Sequence, residues 1–121
     1  MLGFALVGCG RIAQKHADLL HGGHIAGARL VAVCDIKAER AQKFGTKYGV
    51  PHFLDMHEMM TKAGSGIDVV TILTDCGLHG RHCLELAQYR KDIVVEKPMA
   101  LTLDDADAMI RACDAAGIRL F

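Results

Sequence analysis

One short segment of this sequence has the glycine spacing of a turn that binds phosphate groups. Residues 8–13 read GCGRIA and match the pattern G-x-G-x-x-G/A of dinucleotide-binding turns. The pattern alone is weak, but here it directly follows an apolar run and directly precedes a helical pattern. We expect Gly8 to permit the tight turn and Gly10 to let a diphosphate approach the backbone. Free N–H groups at Arg11 and Ile12 would then hold the diphosphate.

An acidic residue follows the glycine turn at the distance expected for a contact with ribose. Asp35 comes directly after the second apolar run, about 25 positions beyond Gly10, where dinucleotide-binding domains place the acid that binds the adenosine ribose. Because a carboxylate there repels a 2′-phosphate, we expect NAD to be preferred over NADP. Lys37 and Arg40 follow closely and can offset part of that repulsion, which leaves NADP open. The alternative for Asp35 is a solvated acid at a strand end.

A lysine is placed where a later apolar run ends. Residues 96–98 read EKP and follow the apolar residues 93–95. Pro98 ends a strand and favours an extended conformation at Lys97, and in open parallel sheets ligands bind at the carboxyl ends of strands. We therefore expect Lys97 to reach a nicotinamide ribose and a substrate, and to be the catalytic residue. The alternative is a solvated lysine, which is the usual environment of lysines.

A third candidate segment, residues 74–79, also follows an apolar run. We expect its Thr74 and His79 to lie near the cofactor. His79 and His82 are three positions apart, which a metal site can use, but no carboxylate or cysteine completes a set, so we expect no metal. The other histidines have no partner pattern and are predicted to lie on helix faces or in the core; they are His16, His21, His24, His52 and His57.

Alternating strand and helix patterns position these candidates. Between the apolar runs, apolar residues recur at helical spacing, and the last helix begins near Thr102 and ends near Gly117. The alternation predicts an α/β fold of the Rossmann type, a doubly wound parallel sheet with helices on both faces. Residues 118–121 begin another strand, so we expect one domain, residues 1–121, truncated at the start of its last strand. The apolar runs typical of buried parallel strands are residues 4–7, 30–34, 67–73 and 93–95, with a weaker run at 52–54.

Composition argues against several classes of partner. Fourteen basic residues balance fourteen acidic ones, so no strong field attracts nucleic acid or an anionic membrane. No apolar stretch approaches the roughly 20 residues of a membrane helix, and the N-terminus lacks the basic region of a signal peptide. The five cysteines are an odd number without a C-x-x-C pair, so we expect reduced thiols and a cytoplasmic location.

The chain resembles the family of glucose-fructose oxidoreductase and inositol 2-dehydrogenase. The resemblance covers essentially all 121 residues, and its carriers are the GCGRIA turn, Asp35, residues 74–79, the EKP segment and the helix that follows it. It implies that Lys97 binds the nicotinamide ribose and a substrate hydroxyl, that Glu96 helps to line the cofactor site, and that the Lys97–Pro98 bond is cis. Where this family usually has T-P-N-x-x-H, residues 74–79 read TDCGLH, so we expect altered contacts near the nicotinamide ring.

The resemblance also implies a function for a longer protein. We expect oxidation of a secondary hydroxyl on a sugar, polyol or nucleotide-linked sugar, such as a UDP-linked N-acetyl sugar uronate. The family's substrate domain, with the histidine that usually acts with this lysine, is expected beyond Phe121, so the 121-residue chain alone should be inactive. Through that domain we expect a homo-oligomer. Two alternatives stay open: a non-catalytic NAD-sensing module, which needs no Lys97, and an S-adenosylmethionine-dependent methyltransferase, which leaves the EKP segment unexplained.

Overall fold

Five parallel strands form a single sheet in the computed structural model, which describes residues 1–121. The strands are β1 (Leu2–Val7), β2 (Ala28–Cys34), β3 (His52–Phe53), β4 (Val69–Ile72) and β5 (Asp92–Val95). The helices are α1 (Arg11–His21), α2 (Ala38–Tyr48), α3 (Met56–Ala63), α4 (His79–Ala87) and α5 (Leu103–Ala116). Two short 3₁₀ helices, Gly64–Gly66 and Cys76–Leu78, precede β4 and α4. The order across the sheet is β3-β2-β1-β4-β5, so the predicted α/β fold of the Rossmann type is confirmed.

The strand order reverses beside β1. This strand pairs in parallel with β2 on one side and with β4 on the other. The chain runs outward from β1 to β3, then crosses back to β4 and continues to β5. In open parallel sheets such a reversal leaves a crevice outside the carboxyl ends of the two central strands. That crevice lies beyond Val7 and Ile72, and the three candidate segments follow β1, β4 and β5.

The strand sequences are continuous apolar runs because helices cover both faces of the sheet. Leu6 lies in a buried cluster with side chains of α1 and α2, whereas its neighbours Ala5 and Val7 lie in a second cluster with α3, α4 and α5. Alternate residues of β1 therefore enter two different cores. None of the helices has both the length and the apolar character needed to cross a membrane.

Local signals set the ends of several helices. The Thr102 hydroxyl accepts a hydrogen bond from the Asp105 N–H at 3.1 Å, and α5 ends at Gly117, whose φ of 70° is left-handed. The start and the end of α5 therefore agree with the positions predicted from the sequence. The Asp55 carboxylate caps α3 in the same way, by accepting from the His57 N–H. The first helix differs, because no side chain caps its N-terminus.

Residues 119–121 extend the sheet beyond β5. A parallel bridge joins Leu120 to Ile93, and the Phe121 N–H donates to the Ile93 carbonyl at 2.9 Å. The Arg119 guanidinium forms an ion pair with Asp92 at 2.6 Å beside this bridge. The strand predicted at residues 118–121 is thus present as one bridged position.

Candidate functional site

The turn after β1 requires a glycine at position 8. Gly8 has a φ of +105°, a left-handed conformation that other residues rarely adopt. A Cβ atom at Gly8 would lie 2.7 Å from the carbonyl oxygen of Leu73, at the end of β4. The Gly8 N–H donates to the Cys34 carbonyl at 2.8 Å, so the turn is packed between the ends of β2 and β4. Gly8 permits the tight turn, as the sequence predicts.

The N-terminus of α1 opens onto free space. Gly10 precedes the helix, and a Cβ atom there would meet no atom within 4 Å. No side chain caps α1 and its first turn has no acidic residue, so the N–H groups of Arg11 and Ile12 have no partner within the helix. Such N–H groups and the helix dipole attract anions. This N-terminus fits the diphosphate of a dinucleotide, which a side chain at position 10 would obstruct.

Asp35 lies at the end of β2 and holds the glycine turn. It is 9% exposed, and its Oδ2 and Oδ1 accept hydrogen bonds from the N–H groups of Cys9 and Lys37, both at 2.8 Å. Each oxygen keeps a further lone pair for another donor, such as a ribose hydroxyl. The alternative of a solvated strand-end acid is therefore wrong, because Asp35 ties the glycine turn to the start of α2.

Three side chains beside Asp35 are free to meet a ligand. Ile36 is 85% exposed, although it directly follows a buried acid. Lys37 and Arg40 are exposed and take part in none of the protein's ion pairs. The exposure of Ile36 was not predicted from the sequence. The feature that could have indicated it is a large apolar residue directly after the acid at the end of β2.

A cavity of about 270 Å³ lies where the candidate segments meet. A neighbouring cavity of about 230 Å³ lies against α4 and α5, shares only Cys76 with the first and contains none of the predicted site residues. Gly8, Gly10, Arg11 and Asp35 are outside the lining of the first cavity and form the adjoining turn. That lining combines the start of α1 with the ends of β4 and β5: Ile12, Leu73, Thr74, Cys76, His79, Glu96 and Lys97. All but Leu73 and Cys76 are predicted site residues.

Lys97 lines this cavity with an unpaired ammonium group. The residue is exposed and takes part in none of the ion pairs. Its backbone is held instead, because its N–H donates to Glu96 Oε1 at 3.0 Å and the Glu96 N–H donates to the Ile72 carbonyl at 3.0 Å. The Lys97–Pro98 bond is cis, as the resemblance implies. A lysine held in this way can donate a hydrogen bond to a ligand in the cavity or exchange a proton with it.

A histidine on α1 contacts the carboxylate of Glu96. His16 Nε2 lies 3.3 Å from Glu96 Oε2. The hydrogen bond from the Lys97 N–H, and secondarily His16, hold the pKa of Glu96 below its ordinary value. His16 lies on a helix face, as the sequence predicts, and it also links α1 to the residue after β5. No sequence pattern predicts this contact, because the two residues are 80 positions apart.

Thr74 and His79 follow β4 with their polar groups already engaged. Thr74 Oγ1 lies 2.8 Å from His82 Nδ1, and burial lowers the pKa of His82, which favours the neutral ring. His79 is 1% exposed, and its Nδ1 and Nε2 lie 2.8 Å from the carbonyl oxygens of Pro98 and Thr74. Cofactor-binding roles for Thr74 and His79 stay predictions, and the ring nitrogens of His79 are not free for such a role.

The remaining histidines and the acids form no cluster of ligands. No group of three or more His, Cys, Asp or Glu side chains is arranged to hold a metal ion. His57 lies on α3, and its Nδ1 lies 2.6 Å from the Tyr89 hydroxyl. Neither residue lines the cavity beside Lys97.

All five cysteines are free thiols, and only Cys76 is exposed. Burial raises the pKa of Cys9, Cys34 and Cys83 to about 12. The buried thiols are therefore protonated at neutral pH and poorly nucleophilic. No catalytic nucleophile is found among them.

Known proteins match this chain in sequence along nearly its whole length. The profile of a family described as "oxidoreductase family, NAD-binding Rossmann fold" matches residues 2–121. The D-apiose dehydrogenase of Paraburkholderia graminis is 39% identical over 96% of this chain and 30% of that protein. The myo-inositol 2-dehydrogenase of Thermotoga maritima is 31% identical over 96% of this chain and 34% of that protein. These matches favour an oxidoreductase over a methyltransferase.

Solved structures match the fold equally well. The WlbA dehydrogenase from Bordetella pertussis, solved in complex with NADH and UDP-GlcNAcA, has a TM-score of 0.92 and 37% identity, over 99% of this chain and 36% of that chain. An oxidoreductase from Agrobacterium radiobacter, solved with NAD⁺, L-tartaric acid and magnesium, has a TM-score of 0.89 and 31% identity, over 98% and 34%. The chain therefore spans about a third of the length of the relatives it matches.

Proposed function

Since the chain belongs to the oxidoreductase family with the NAD-binding Rossmann fold, as its sequence predicts, we propose that it is the cofactor-binding part of an NAD-dependent dehydrogenase. The observation that carries this proposal is the cavity that joins Ile12, at the open N-terminus of α1, to the unpaired Lys97 after β5. A backbone site for the cofactor and a group that handles a proton are the protein's two contributions to hydride transfer.

The first half of the proposed site binds the dinucleotide. The N–H groups at the start of α1 bind the diphosphate, and the free lone pairs of Asp35 accept hydrogen bonds from ribose hydroxyls. Ile36 offers an apolar surface to the adenine ring because it is 85% exposed beside that acid. The Asp35 carboxylate repels a 2′-phosphate, while exposed Lys37 and Arg40 reduce the size of that preference.

The second half of the proposed site handles the substrate proton. When bound, NAD⁺ supplies the hydride acceptor. As the neutral amine, Lys97 accepts the proton that the reacting hydroxyl of the substrate loses, and as the resulting ammonium it donates a hydrogen bond to the product oxygen before it releases the proton to solvent. The Glu96 carboxylate holds the Lys97 backbone from one side, and His16 holds that carboxylate. Thr74 and His79 line the same cavity and limit the space open to the ligand.

The proposed substrate is a molecule with secondary hydroxyl groups, such as a sugar, a polyol or a nucleotide-linked sugar. The names of the relatives support this class, because they include a D-apiose and a myo-inositol 2-dehydrogenase. The structure with UDP-GlcNAcA adds support for a UDP-linked N-acetyl sugar uronate. A carbohydrate places its reacting hydroxyl among neighbouring ones, so groups outside this chain are needed to select one of them.

We further propose that the remaining two thirds seen in the relatives supply a substrate domain. That domain would carry the second catalytic group and the contacts of a homo-oligomer. Besides Lys97, the titratable groups that line the cavity are Glu96 and His79, which are already bonded, and the Cys76 thiol. The four buried thiols and one exposed thiol agree with a reducing compartment, and we propose the cytoplasm.

Two measurements test this function. Calorimetric titration of the chain with NAD⁺ and NADP⁺ should show the tighter binding for NAD⁺, whereas a tenfold preference for NADP⁺ would contradict the role of Asp35. The full-length gene product should form NADH with at least one member of a panel of sugars, polyols and UDP-linked sugar uronates. Binding of NAD⁺ without turnover of any of them would support the NAD-sensing module instead.

A further inference from the structure

His79 is placed between the carboxyl ends of two strands. It is the first residue of α4, directly after the 3₁₀ helix Cys76–Leu78, and only 1% of it is exposed. Its Nε2 lies 2.8 Å from the carbonyl oxygen of Thr74, which follows β4. Its Nδ1 lies 2.8 Å from the carbonyl oxygen of Pro98, which follows β5. The ring therefore bridges the two segments that line the cavity beside Lys97.

Both ring nitrogens face carbonyl oxygens, which only accept hydrogen bonds. A neutral ring carries one N–H and therefore donates to one of the two oxygens, and with the proton on Nδ1 that oxygen is the Pro98 carbonyl. No buried side-chain nitrogen or oxygen in the protein lacks a partner, so the ring has no polar atom left for a ligand. His79 consequently contributes to the cavity by fixing backbone, not by offering a polar group to a cofactor.

The Pro98 carbonyl belongs to the residue directly after Lys97. On the other side of Lys97, its N–H is held by the Glu96 carboxylate at 3.0 Å. The ammonium itself takes part in no ion pair. The reach of the Lys97 side chain is therefore defined by these two backbone anchors, one formed by Glu96 and one by His79.

We propose that His79 is a positioning residue for Lys97, which it fixes through the carbonyl group of Pro98. This inference rests on the proposed function, because it holds that His79 fixes the position from which Lys97 contacts a substrate hydroxyl. A displacement of about 1 Å in a catalytic group costs on the order of a hundredfold in rate. Loss of the bond to Pro98 should thus lower the turnover number far more than it weakens NAD⁺ binding.

Two amide variants separate the two contacts of the His79 ring, because each keeps a donor near the place of one ring nitrogen. In His79→Asn the amide nitrogen stands near the place of Nδ1 and can still donate to Pro98. In His79→Gln the amide nitrogen stands near the place of Nε2 and can still donate to Thr74. Both variants bury one amide in place of the ring, and Asn is the smaller of the two side chains. A loss of packing alone would therefore harm His79→Asn more, which is the opposite of the order expected from the bond to Pro98. His24→Gln is the control, since His24 is exposed and forms no hydrogen bond.

Turnover of the full-length gene product provides the first readout. We expect the turnover number of His79→Gln to fall about tenfold to a hundredfold, and that of His79→Asn to stay within about threefold of the parent. The dissociation constant for NAD⁺ should change less than about threefold in both. Equal losses in the two variants, or parental turnover in His79→Gln, would overturn the positioning role.

A second readout needs no substrate and so separates failure of this inference from failure of the proposed function. Backbone ¹⁵N relaxation of the 121-residue chain should show Lys97 and Met99 becoming mobile in His79→Gln but not in His79→Asn or His24→Gln. If the parent turns over no sugar, yet this pattern appears, the anchoring of Lys97 stands and the dehydrogenase function fails. If relaxation at Lys97 is the same in all four proteins, the positioning role is wrong whatever the substrate.

Discussion

The glycine turn with Asp35 and the strand ends around Lys97 solve different problems within one crevice. The proposed diphosphate site of the turn consists of backbone N–H groups at the start of α1, and Asp35 beside it accepts hydrogen bonds from the N–H groups of Cys9 and Lys37 at 2.8 Å. The strand ends present a side chain, Lys97, whose ammonium is unpaired while its neighbours are bonded. An anion needs only donors in fixed places, whereas proton exchange needs a group that is free yet accurately placed. In the strand-end region, the polar side chains of Glu96 and His79 therefore contact backbone groups on either side of Lys97.

The largest expected effect tests the free ammonium. In the full-length gene product, Lys97→Ala should lower the turnover number by roughly 10²- to 10⁴-fold, the usual loss for a positioned acid–base group. Binding of NAD⁺ should change little, because we propose that the turn region provides most of the contacts with the cofactor. Lys97→Arg should not restore turnover, since a guanidinium stays protonated. Steady-state kinetics and calorimetry check both expectations, and turnover in Lys97→Ala within threefold of the parent would favour a solvated lysine.

The next effect tests the backbone of the turn. Gly8→Ala should lower the free energy of unfolding by about 1–3 kcal/mol from backbone strain alone, because φ is +105° and such a conformation is costly for other residues. The added Cβ atom would also lie 2.7 Å from the Leu73 carbonyl oxygen. Urea denaturation measures this loss. A Gly8→Ala variant as stable as the parent would show that the turn relaxes at little cost.

A smaller effect separates the two roles of Asp35. Asp35→Asn loses the charge and can accept only one of the two backbone hydrogen bonds, so we expect NAD⁺ binding to weaken by about 1–3 kcal/mol. The ratio of NADP⁺ to NAD⁺ affinity should rise, because the repulsion of a 2′-phosphate disappears. Calorimetric titrations with both cofactors give that ratio. Asp92→Asn, which changes a carboxylate bonded to the Arg119 N–H, is the control, and an unchanged ratio in Asp35→Asn would refute the ribose contact.

The smallest effect concerns the pH dependence of the Glu96 anchor. The pKa of folded Glu96 lies below its ordinary value of 4.5, so the carboxylate adds stability that is complete above that value and is lost as the pH falls through the folded pKa. Parent and Glu96→Gln should therefore differ in stability at neutral pH, and the difference should shrink towards about pH 2. Urea denaturation over this range checks the trend. A difference that grows on acidification would mean that the folded pKa is raised.

The sequence predicts the turn region better than the strand-end region, for physical reasons. Gly8 is recognisable because a left-handed φ and a close backbone contact exclude side chains, and the spacing to Asp35 is a property of the fold. The anchors of Lys97 leave no such pattern. His16 meets Glu96 across 80 positions, and His79 bonds to carbonyl groups, which every residue possesses. A backbone acceptor has no sequence signature, so only the folded structure brings these contacts together.

Strand lengths show the same limit. The apolar run at residues 67–73 predicts a longer strand than β4, which covers Val69–Ile72. Ile67 is buried but precedes the strand, and Leu73 is buried after it. Buried positions are occupied by apolar residues whether or not their backbone takes part in the hydrogen bonds of the sheet. The apolar run therefore locates the strand but not its ends.

The most direct test of the central claim is a titration of the 121-residue chain with NADH, followed by fluorescence, for the parent, Gly10→Ala and Gly66→Ala. A Cβ atom meets no atom within 4 Å at either glycine, so both variants should keep the melting temperature of the parent. Gly10→Ala places its methyl group in front of α1, where the diphosphate is expected, whereas Gly66 precedes β4 at the opposite edge of the sheet. We predict that Gly10→Ala weakens NADH binding by about tenfold or more, and that Gly66→Ala leaves it unchanged. Equal NADH affinity in all three proteins would contradict cofactor binding at the N-terminus of α1.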